Sequence, residues 1–361
     1  MNDYRNRRAF TLMELLVVIV IITVLATMVL FAVYGALESA KRARTQTQVM
    51  RLHEMVLAKW EAYKTLAVRL RIPPSARGNA MDIAAARLLA IRDLQRMELP
   101  DRIADLNEFP AVIPVPTTAP PLRLDPPALW RAYRRRAGYV GNSIVPPATW
   151  SASHQGAECL YLIVAQTRDG DTSGLDFLKE TEIGDTDFDG MPEILDAWGR
   201  PIEFLRWAPG FSISTGPDLK WGLSASDNID LRGESGSDDE LVSDIHIPDG
   251  RLSPDPFDPL QVDDNLRVNR GVPKRRTFAL IPLIFSAGPD NKYDITTDGA
   301  TSISYTNPPR PPGPFMADDP FYVISPLSAG DPEKQIGTPW DTNGDGELNS
   351  IDNITNHLIV E

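Results

Sequence analysis

The strongest pattern in the chain is a long uncharged apolar run close to its N-terminus. The first nine residues are basic, with Arg5, Arg7 and Arg8, whereas Leu15–Leu37 contains 23 residues and no charge. As a helix this run would be roughly 35 Å long, which is enough to cross a hydrocarbon core of ~30 Å. The pattern therefore predicts a transmembrane helix, with its N-terminus in the cytoplasm and the chain after residue 38 outside.

Helical signals continue beyond the apolar run. No proline lies between Phe10 and Ile72, and Pro73 and Pro74 follow, so one helix is predicted over 10–72. Its outer half carries apolar residues at helical spacing, which predicts a face that packs on a globular domain. These residues are Leu52, Met55, Val56 and Trp60.

The remaining chain mixes helical and strand-like patterns. Apolar periodicity predicts a helix over 80–98 and favours a helix over a buried strand at 156–166. Pro127 is a suitable start for a short helix through Ala137, whose arginines 134–136 are expected on a solvated face. Short apolar runs predict strands at Ile202–Trp207, Phe211–Ser214, Phe278–Phe285 and Phe321–Ile324.

These elements divide the chain into four expected regions. They are a leader at 1–9, the long helix at 10–72, a helical and proline-rich insertion at 73–150, and an acidic β-rich globular region at 151–361. The expected fold class is α+β, in which the long helix packs on a small antiparallel sheet with calcium-binding loops.

Charge changes the picture of the second half. Residues 1–150 hold 21 basic and 12 acidic residues, a net charge of +9, whereas residues 151–361 hold 15 and 37, a net charge of −22. The acidic half excludes nucleic acid as a partner, because phosphates would be repelled. The single cysteine, Cys159, is expected in the core. No arrangement of nucleophile and base indicates an enzyme.

Glu14 distinguishes this N-terminus from a secretory signal peptide and from a plain signal anchor. A secretory signal peptide is disfavoured, because the run is too long and no A-x-A site is clear. A plain signal anchor stays open, but a carboxylate at the membrane end of the helix indicates a function. Residues Phe10–Ile22, preceded by the short basic leader, resemble the N-terminal motif of the prepilin family.

The resemblance implies how the N-terminus would be processed and used. A prepilin peptidase would cut between Ala9 and Phe10 and methylate the new terminus, although the family usually has Gly where this chain has Ala9. Glu14 would pair with the Phe10 ammonium of a neighbouring subunit and set its register. The implied partners are copies of the chain or related pilins and an inner-membrane secretion or pilus assembly platform. The alternative is an uncleaved anchor.

A second, looser similarity lies in the C-terminal half. The segment Asp196–Phe204 reads Asp-Ala-Trp-Gly-Arg-Pro-Ile-Glu-Phe, and the turns Ile213–Asp218 and Phe285–Asp290 repeat a Ser-x-Gly-Pro-Asp pattern. This combination is similar to the major pseudopilins of type II secretion. There the corresponding strand and loop form the C-terminal β region and its calcium site.

Two acidic segments have the spacing of a 12-residue calcium loop. Oxygen-bearing residues lie at positions 1, 3, 5, 9 and 12, Gly lies at position 6, and position 7 would offer its backbone carbonyl. The predicted ligands of the first loop are Asp185, Asp187, Asp189, Met191, Glu193 and Asp196. Those of the second loop are Asp341, Asn343, Asp345, Glu347, Asn349 and Asp352. An acidic turn without an ion is the alternative.

Two functions follow from these observations. The first is a structural subunit of a type II secretion pseudopilus or a type IV pilus-like filament, located in the inner membrane before assembly. The second is a membrane-anchored extracytoplasmic protein that binds its target in a calcium-dependent way, as an adhesin or minor tip subunit. Dependence of assembly on Glu14 would distinguish them.

Overall fold

A computed structural model of the chain describes most of its N-terminal half and selected parts of the remainder. The described residues are 12–68, 70, 80–110, 112–113, 122–141, 149–209, 255–260, 262, 279–293, 295, 323–324, 334–335, 337 and 353–359. In these residues a long N-terminal helix is followed by shorter helices and small antiparallel sheets. The predicted α+β class and long N-terminal helix are therefore confirmed.

Helix α1 spans Leu12–Thr65, which is 54 residues or about 81 Å. Its outer half buries one face, as the spacing of apolar residues predicts. The buried residues of this helix are Thr45, Gln48, Val49, Leu52, His53, Val56, Trp60 and Tyr63. Met55 is partly buried against the same core.

The predicted extension of the helix to Ile72 is wrong. Helix α1 ends at Thr65, just after Tyr63, its last buried residue. Residues 64–67 are exposed, and the Leu66 N–H closes the helix by donating to the Tyr63 carbonyl at 3.3 Å. Tertiary packing supplies most helix stability, so a proline-free sequence does not extend a helix beyond the face that it packs.

The other helices agree with the predicted positions where predictions were made. They are α2 Ala80–Glu98, α3 Ile103–Asn107, α4 Ala128–Arg136, α5 Gln155–Gln166 and α6 Asn356–Ile359. Helix α2 has the predicted bounds, Pro127 is the N-cap of α4, and α5 is a helix rather than a strand.

The prediction that all three arginines at 134–136 are solvated is wrong for Arg134. This side chain is buried, and its guanidinium carbon lies 4.5 Å from the centre of the Trp130 ring and 4.3 Å from that of Tyr139. Its Nη1 donates to the carbonyl of Leu106. The aromatic faces and this carbonyl offset the cost of burying the charge. The three consecutive arginines look alike in the sequence, so the buried one could not be singled out.

The strands are short, apart from two in the central sheet. They are β1 Val112–Ile113, β2 Leu122–Arg123, β3 Arg168–Asp169, β4 Thr172–Ser173, β5 Ile183–Gly184, β6 Glu193–Ile194, β7 Glu203–Pro209, β8 Leu280–Ser286, β9 Val323–Ile324, β10 Lys334–Gln335 and β11 Ile354–Thr355. The central sheet is antiparallel with the order β11-β8-β7. Strands β7, β8 and β9 match three predicted strands, and Phe211–Ser214 lies outside the described residues.

The main core lies between the outer half of α1, helices α2 to α5 and the central sheet. Cys159 is fully buried in it, as predicted. Side chains of the 80–141 segment and of the 149–209 segment share this core, so the two segments pack as neighbours. Its members include Trp60, Met97, Leu106, Trp130, Tyr133, Leu160, Leu162, Ile194, Phe204 and Ile284.

Helix α5 begins in close contact with strand β7. A Cβ atom at Gly156 would lie 2.6 Å from Glu203 Oε2 and 2.8 Å from the carbonyl oxygen of Phe204. Glu203 Oε2 accepts a hydrogen bond from the backbone N–H of Ala157 at 3.1 Å, which satisfies one of the free donors of the first helical turn. This contact fixes where the next residue of the helix, Glu158, enters the interior.

Candidate functional site

The first half of helix α1 carries a continuous exposed apolar surface. The large apolar side chains at 12–37 are exposed, and Phe31 reaches 82%. Among the described residues, α1 is the one helix that is long and apolar enough to cross a membrane. Exposed apolar surface of this extent is costly in water, so this part of the helix requires an apolar environment.

The predicted assembly and processing residues lie at the start of this helix. Glu14 lies in the first turn of α1, and its neighbours in the sequence are apolar. Its side chain is exposed. Ala9 and Phe10 lie outside the described residues.

A polar contact attaches the globular part to α1 just beyond the apolar run. Trp198 Nε1 donates to Glu38 Oε2 at 2.9 Å, and this bond lowers the pKa of the Glu38 carboxyl below its usual value. The backbone N–H of Ala197 donates to Thr45 Oγ1 at 3.1 Å, two turns further along the helix. We call residues 196–200 the tryptophan turn. This turn orients the globular part relative to the apolar half of α1.

The two C-terminal motifs singled out in the sequence contact each other. Asp196 Oδ1 accepts the backbone N–H groups of Trp198 and Arg200 at 2.8 and 3.0 Å, which closes the turn. Asp196 Oδ2 accepts from Ser286 Oγ at 2.6 Å, and this serine is the last residue of strand β8. Its Oγ also accepts the Gly288 N–H at 3.2 Å. Asp196 thus joins the tryptophan turn to the Ser-Ala-Gly-Pro-Asp turn.

A comparison with known families decides the class of the N-terminus. The family model described as the prokaryotic N-terminal methylation motif matches residues 4–30. The match covers the basic leader, Glu14 and most of the exposed apolar helix. This is the N-terminus of a type IV prepilin-like protein. Together with the apolar helix, the motif indicates membrane anchoring and processing by a prepilin peptidase.

The prepilin-like assignment rests on this N-terminal segment. The search of curated proteins and the search of solved structures found no match.

The prepilin-like protein brings two of its predicted calcium ligands together with a residue that the loop pattern missed. One carboxylate oxygen each of Glu158, Asp187 and Asp189 lies within 4.8 Å of the other two. Asp187 and Asp189 belong to the loop between β5 and β6, whereas Glu158 comes from α5. Glu158 could have been noticed in the sequence, because a charged residue is unusual in an apolar segment predicted to be buried.

Ser151 holds both aspartates of this loop. Its Oγ donates to Asp187 Oδ2 at 2.6 Å and its backbone N–H donates to Asp189 Oδ2 at 2.7 Å. Asp189 Oδ1 accepts the N–H of Met191 at 2.8 Å, and Asp185 Oδ2 accepts that of Gly190 at 3.0 Å. Hydrogen bonds within the loop thus fix its shape, and the two bonds from Ser151 connect it to the segment that precedes α5.

The remaining predicted ligands of the first loop have other hydrogen-bond partners. Glu193 is fully buried and accepts from the N–H and the hydroxyl of Thr186 at 2.7 and 3.0 Å. Burial nevertheless raises the pKa of Glu193 above its ordinary value. Asp196 uses both oxygens in the turn described above, and the Met191 side chain is buried. The structure therefore places these residues around the loop and not in the group of three carboxylates.

Electrostatics at Glu158 are strongly unfavourable to its charged form. Burial raises the pKa of this carboxyl to about 9, and the nearby carboxylates of Asp189 and Asp187 add to the shift. The indole N–H of Trp150 donates to Glu158 Oε2 and acts in the opposite direction. The second predicted loop, with Asp341, Asn343, Asp345, Glu347, Asn349 and Asp352, lies outside the described residues.

Proposed function

We propose that this protein is a structural subunit of a type II secretion pseudopilus or a type IV pilus-like filament. In this proposal a prepilin peptidase of the inner membrane removes residues 1–9, and the mature chain, which begins with Phe10, assembles through its N-terminal helix with copies of itself or related pilins. The single observation that carries the proposal is the methylation motif at 4–30 on an exposed apolar helix. The protein would contribute to the filament through contacts and not through chemistry of its own.

The burial of side chains along α1 supports a role for its first half in assembly and for its second half in packing on the globular part. The apolar side chains before Glu38 are exposed, whereas those from Val49 to Tyr63 are buried in the core of the same chain. The first segment is therefore available first to lipid and then to the helices of neighbouring subunits. The basic leader favours a cytoplasmic N-terminus, so the globular part would lie on the outer side of the inner membrane.

Glu14 is proposed to set the register between subunits. A carboxylate at the membrane end of an apolar helix is costly unless it is paired, and the new ammonium at Phe10 of an adjacent subunit would supply the opposite charge. Breaking such a buried pair costs about 3–5 kcal/mol, which corresponds to an affinity loss of more than a hundredfold.

Mass spectrometry of the native N-terminus tests the processing step. The expected mature protein begins with a methylated Phe10 and lacks the nine preceding residues. Replacement of Ala9 by Gly, the residue usual in this family, should be processed at least as fast. A native protein that keeps Met1–Ala9 would contradict the proposal.

Assembly is tested by substituting Glu14. Glu14→Ala should abolish recovery of the subunit in sheared filaments while leaving its amount in the membrane unchanged. Glu54→Ala is the matched control, because Glu54 is exposed on the same helix beyond the apolar run. If Glu14→Ala leaves assembly unchanged, the anchored adhesin or minor tip subunit becomes the better explanation.

A further inference from the structure

The group of three carboxylates next to helix α5 is an unusual arrangement for a protein interior. Glu158 is fully buried, Asp189 is 8% exposed, and Asp187 is partly buried. Their mutually close oxygens come from segments about thirty residues apart in the sequence, so the group is a product of folding. Like charges this close repel one another, and burial increases that repulsion.

Unused hydrogen-bonding capacity points into the same region. Glu158 Oε1 is buried and has no hydrogen-bond partner, and the same is true of Asp187 Oδ1 and Asp185 Oδ1. An unsatisfied buried polar group costs about 1–3 kcal/mol, and more when it is charged. The two such oxygens that belong to the group, Glu158 Oε1 and Asp187 Oδ1, therefore lack a partner that a bound cation, or a proton shared with Asp189, would supply.

Basic side chains do not provide that partner in the part of the chain that the structure describes. No lysine or arginine there forms an ion pair with Glu158, Asp187 or Asp189. His154, four residues before Glu158 in the sequence, directs its Nδ1 to Glu203 Oε1 at 2.8 Å. The negative charge of the group is thus left for a bound ion.

We infer that Glu158, Asp187 and Asp189 bind one hard divalent cation, with calcium as the expected ion. Carboxylate oxygens are the preferred ligands of such ions. Calcium takes oxygens at about 2.3–2.6 Å, so two of its ligands can lie up to about 5 Å apart. The separations of up to 4.8 Å in this group are compatible with that range.

This scheme differs from the 12-residue loop that the sequence suggests. It keeps the aspartates of positions 3 and 5, and Glu158 takes the place of the ligands at positions 9 and 12. Glu193 and Asp196 instead shape the two ends of the loop. A cation here would join α5 to the loop that leads into the tryptophan turn on α1, and so would stiffen the attachment of the globular part.

The inference is tested on the full chain in detergent micelles after treatment with EDTA. The second acidic segment is removed as a calcium site by Asp341→Asn with Asp345→Asn, so that any remaining response belongs to the first. Adding calcium chloride at 100 times the dissociation constant should raise the melting temperature by about 5–10 °C. Calorimetric titration should show one site per chain.

Glu158→Gln is the decisive variant. The amide oxygen can still accept from Trp150, but one ligand charge is lost, so calcium affinity should fall at least tenfold. Without calcium this variant should be about as stable as the parent, because glutamine keeps the size of the side chain and the acceptor for Trp150. Asp171→Asn, which removes an equal charge from an exposed turn, should leave the calcium response unchanged.

Terbium provides a second readout that is local to the site. Trp150 contacts Glu158 directly, so terbium bound there should emit when tryptophan is excited. Trp150→Phe should remove this emission while leaving calcium binding in place. Should Glu158→Gln fail to fold, Asp187→Asn serves instead, because an amide oxygen can still accept from Ser151.

Two outcomes would overturn the inference. One is the absence of a calcium-dependent rise in melting temperature in the chain that retains Glu158. The other is a rise that Glu158→Gln does not reduce; the carboxylates would then be satisfied by a shared proton alone. Both are independent of filament assembly, since none of the proposed ligands lies on α1.

Discussion

Replacing Arg206 by methionine should strongly destabilise the globular part and leave the apolar half of α1 unaffected. Arg206 lies on β7 and is fully buried. Its Nη1 donates to Asp105 Oδ2 at 2.7 Å and to the carbonyl of Leu99 at 3.0 Å. Methionine fills a similar volume but leaves the carboxylate of Asp105 buried next to that of Asp101.

The magnitude follows from the geometry of this pair. At 2.7 Å and an effective dielectric constant of about 20, the attraction between the charges is about 6 kcal/mol. Desolvation of both groups offsets part of it, and removing one partner of a buried pair typically costs about 3–5 kcal/mol. The pKa of Asp105 agrees in direction: burial raises it, but the cations, chiefly Arg206, outweigh this and hold it at about 2.

Thermal unfolding of the full chain in detergent measures this cost. A loss of about 3–5 kcal/mol corresponds to a fall in melting temperature of about 6–20 °C, on the scaling of about 2–4 °C per kcal/mol for domains of 150–250 residues. Arg135→Met, on the exposed side of α4, should change stability by less than about 0.5 kcal/mol. Adding Asp105→Asn to Arg206→Met should restore at least about 1 kcal/mol. A loss below about 1 kcal/mol, or no restoration, would show that Arg206 is not needed to neutralise Asp105.

Acid should weaken the docking of the C-terminal segment on α1. Burial lowers the pKa of His53, which accepts a bond from Asn356, and lowers the pKa of His357 to about 4. The unfolded chain therefore binds more protons below pH 6.5, and stability should fall from there towards pH 4, at His357 by at most about 3 kcal/mol. Urea unfolding should show a smaller pH slope in His357→Gln. Separately, Gly156→Ala should cost about 1–3 kcal/mol because its Cβ has no room against β7, whereas Gly35→Ala, which meets nothing within 4 Å, should be tolerated.

Local sequence patterns predicted where the helices lie more accurately than the residues at which they end. The bounds of α2 follow directly from apolar periodicity, and α5 could be recognised as a helix although its sequence also suits a buried strand. The end of α1 could not be predicted in the same way. It depends on where the packed face stops, at Tyr63, and not on the proline that follows later.

The candidate cation group shows the same division between local and long-range information. The alternating carboxylates of the β5–β6 loop predicted Asp187 and Asp189 as candidate ligands, because their spacing is local. Glu158 joins them only because α5 packs against β6 and β7. Similarly, the run of arginines at 134–136 does not reveal that Arg134 is the one that is buried.

The class of the N-terminus could be inferred from the amino-acid sequence alone. An uncharged run long enough for a membrane, a basic leader and a single carboxylate at its start are all contiguous, and the methylation motif consists of the same residues. Three other features depend on the folded arrangement of the chain: which acidic residues lie close together, which arginine is buried and where the long helix ends. The reason is that periodicity and charge specify an element locally, whereas burial and proximity arise when distant elements pack together.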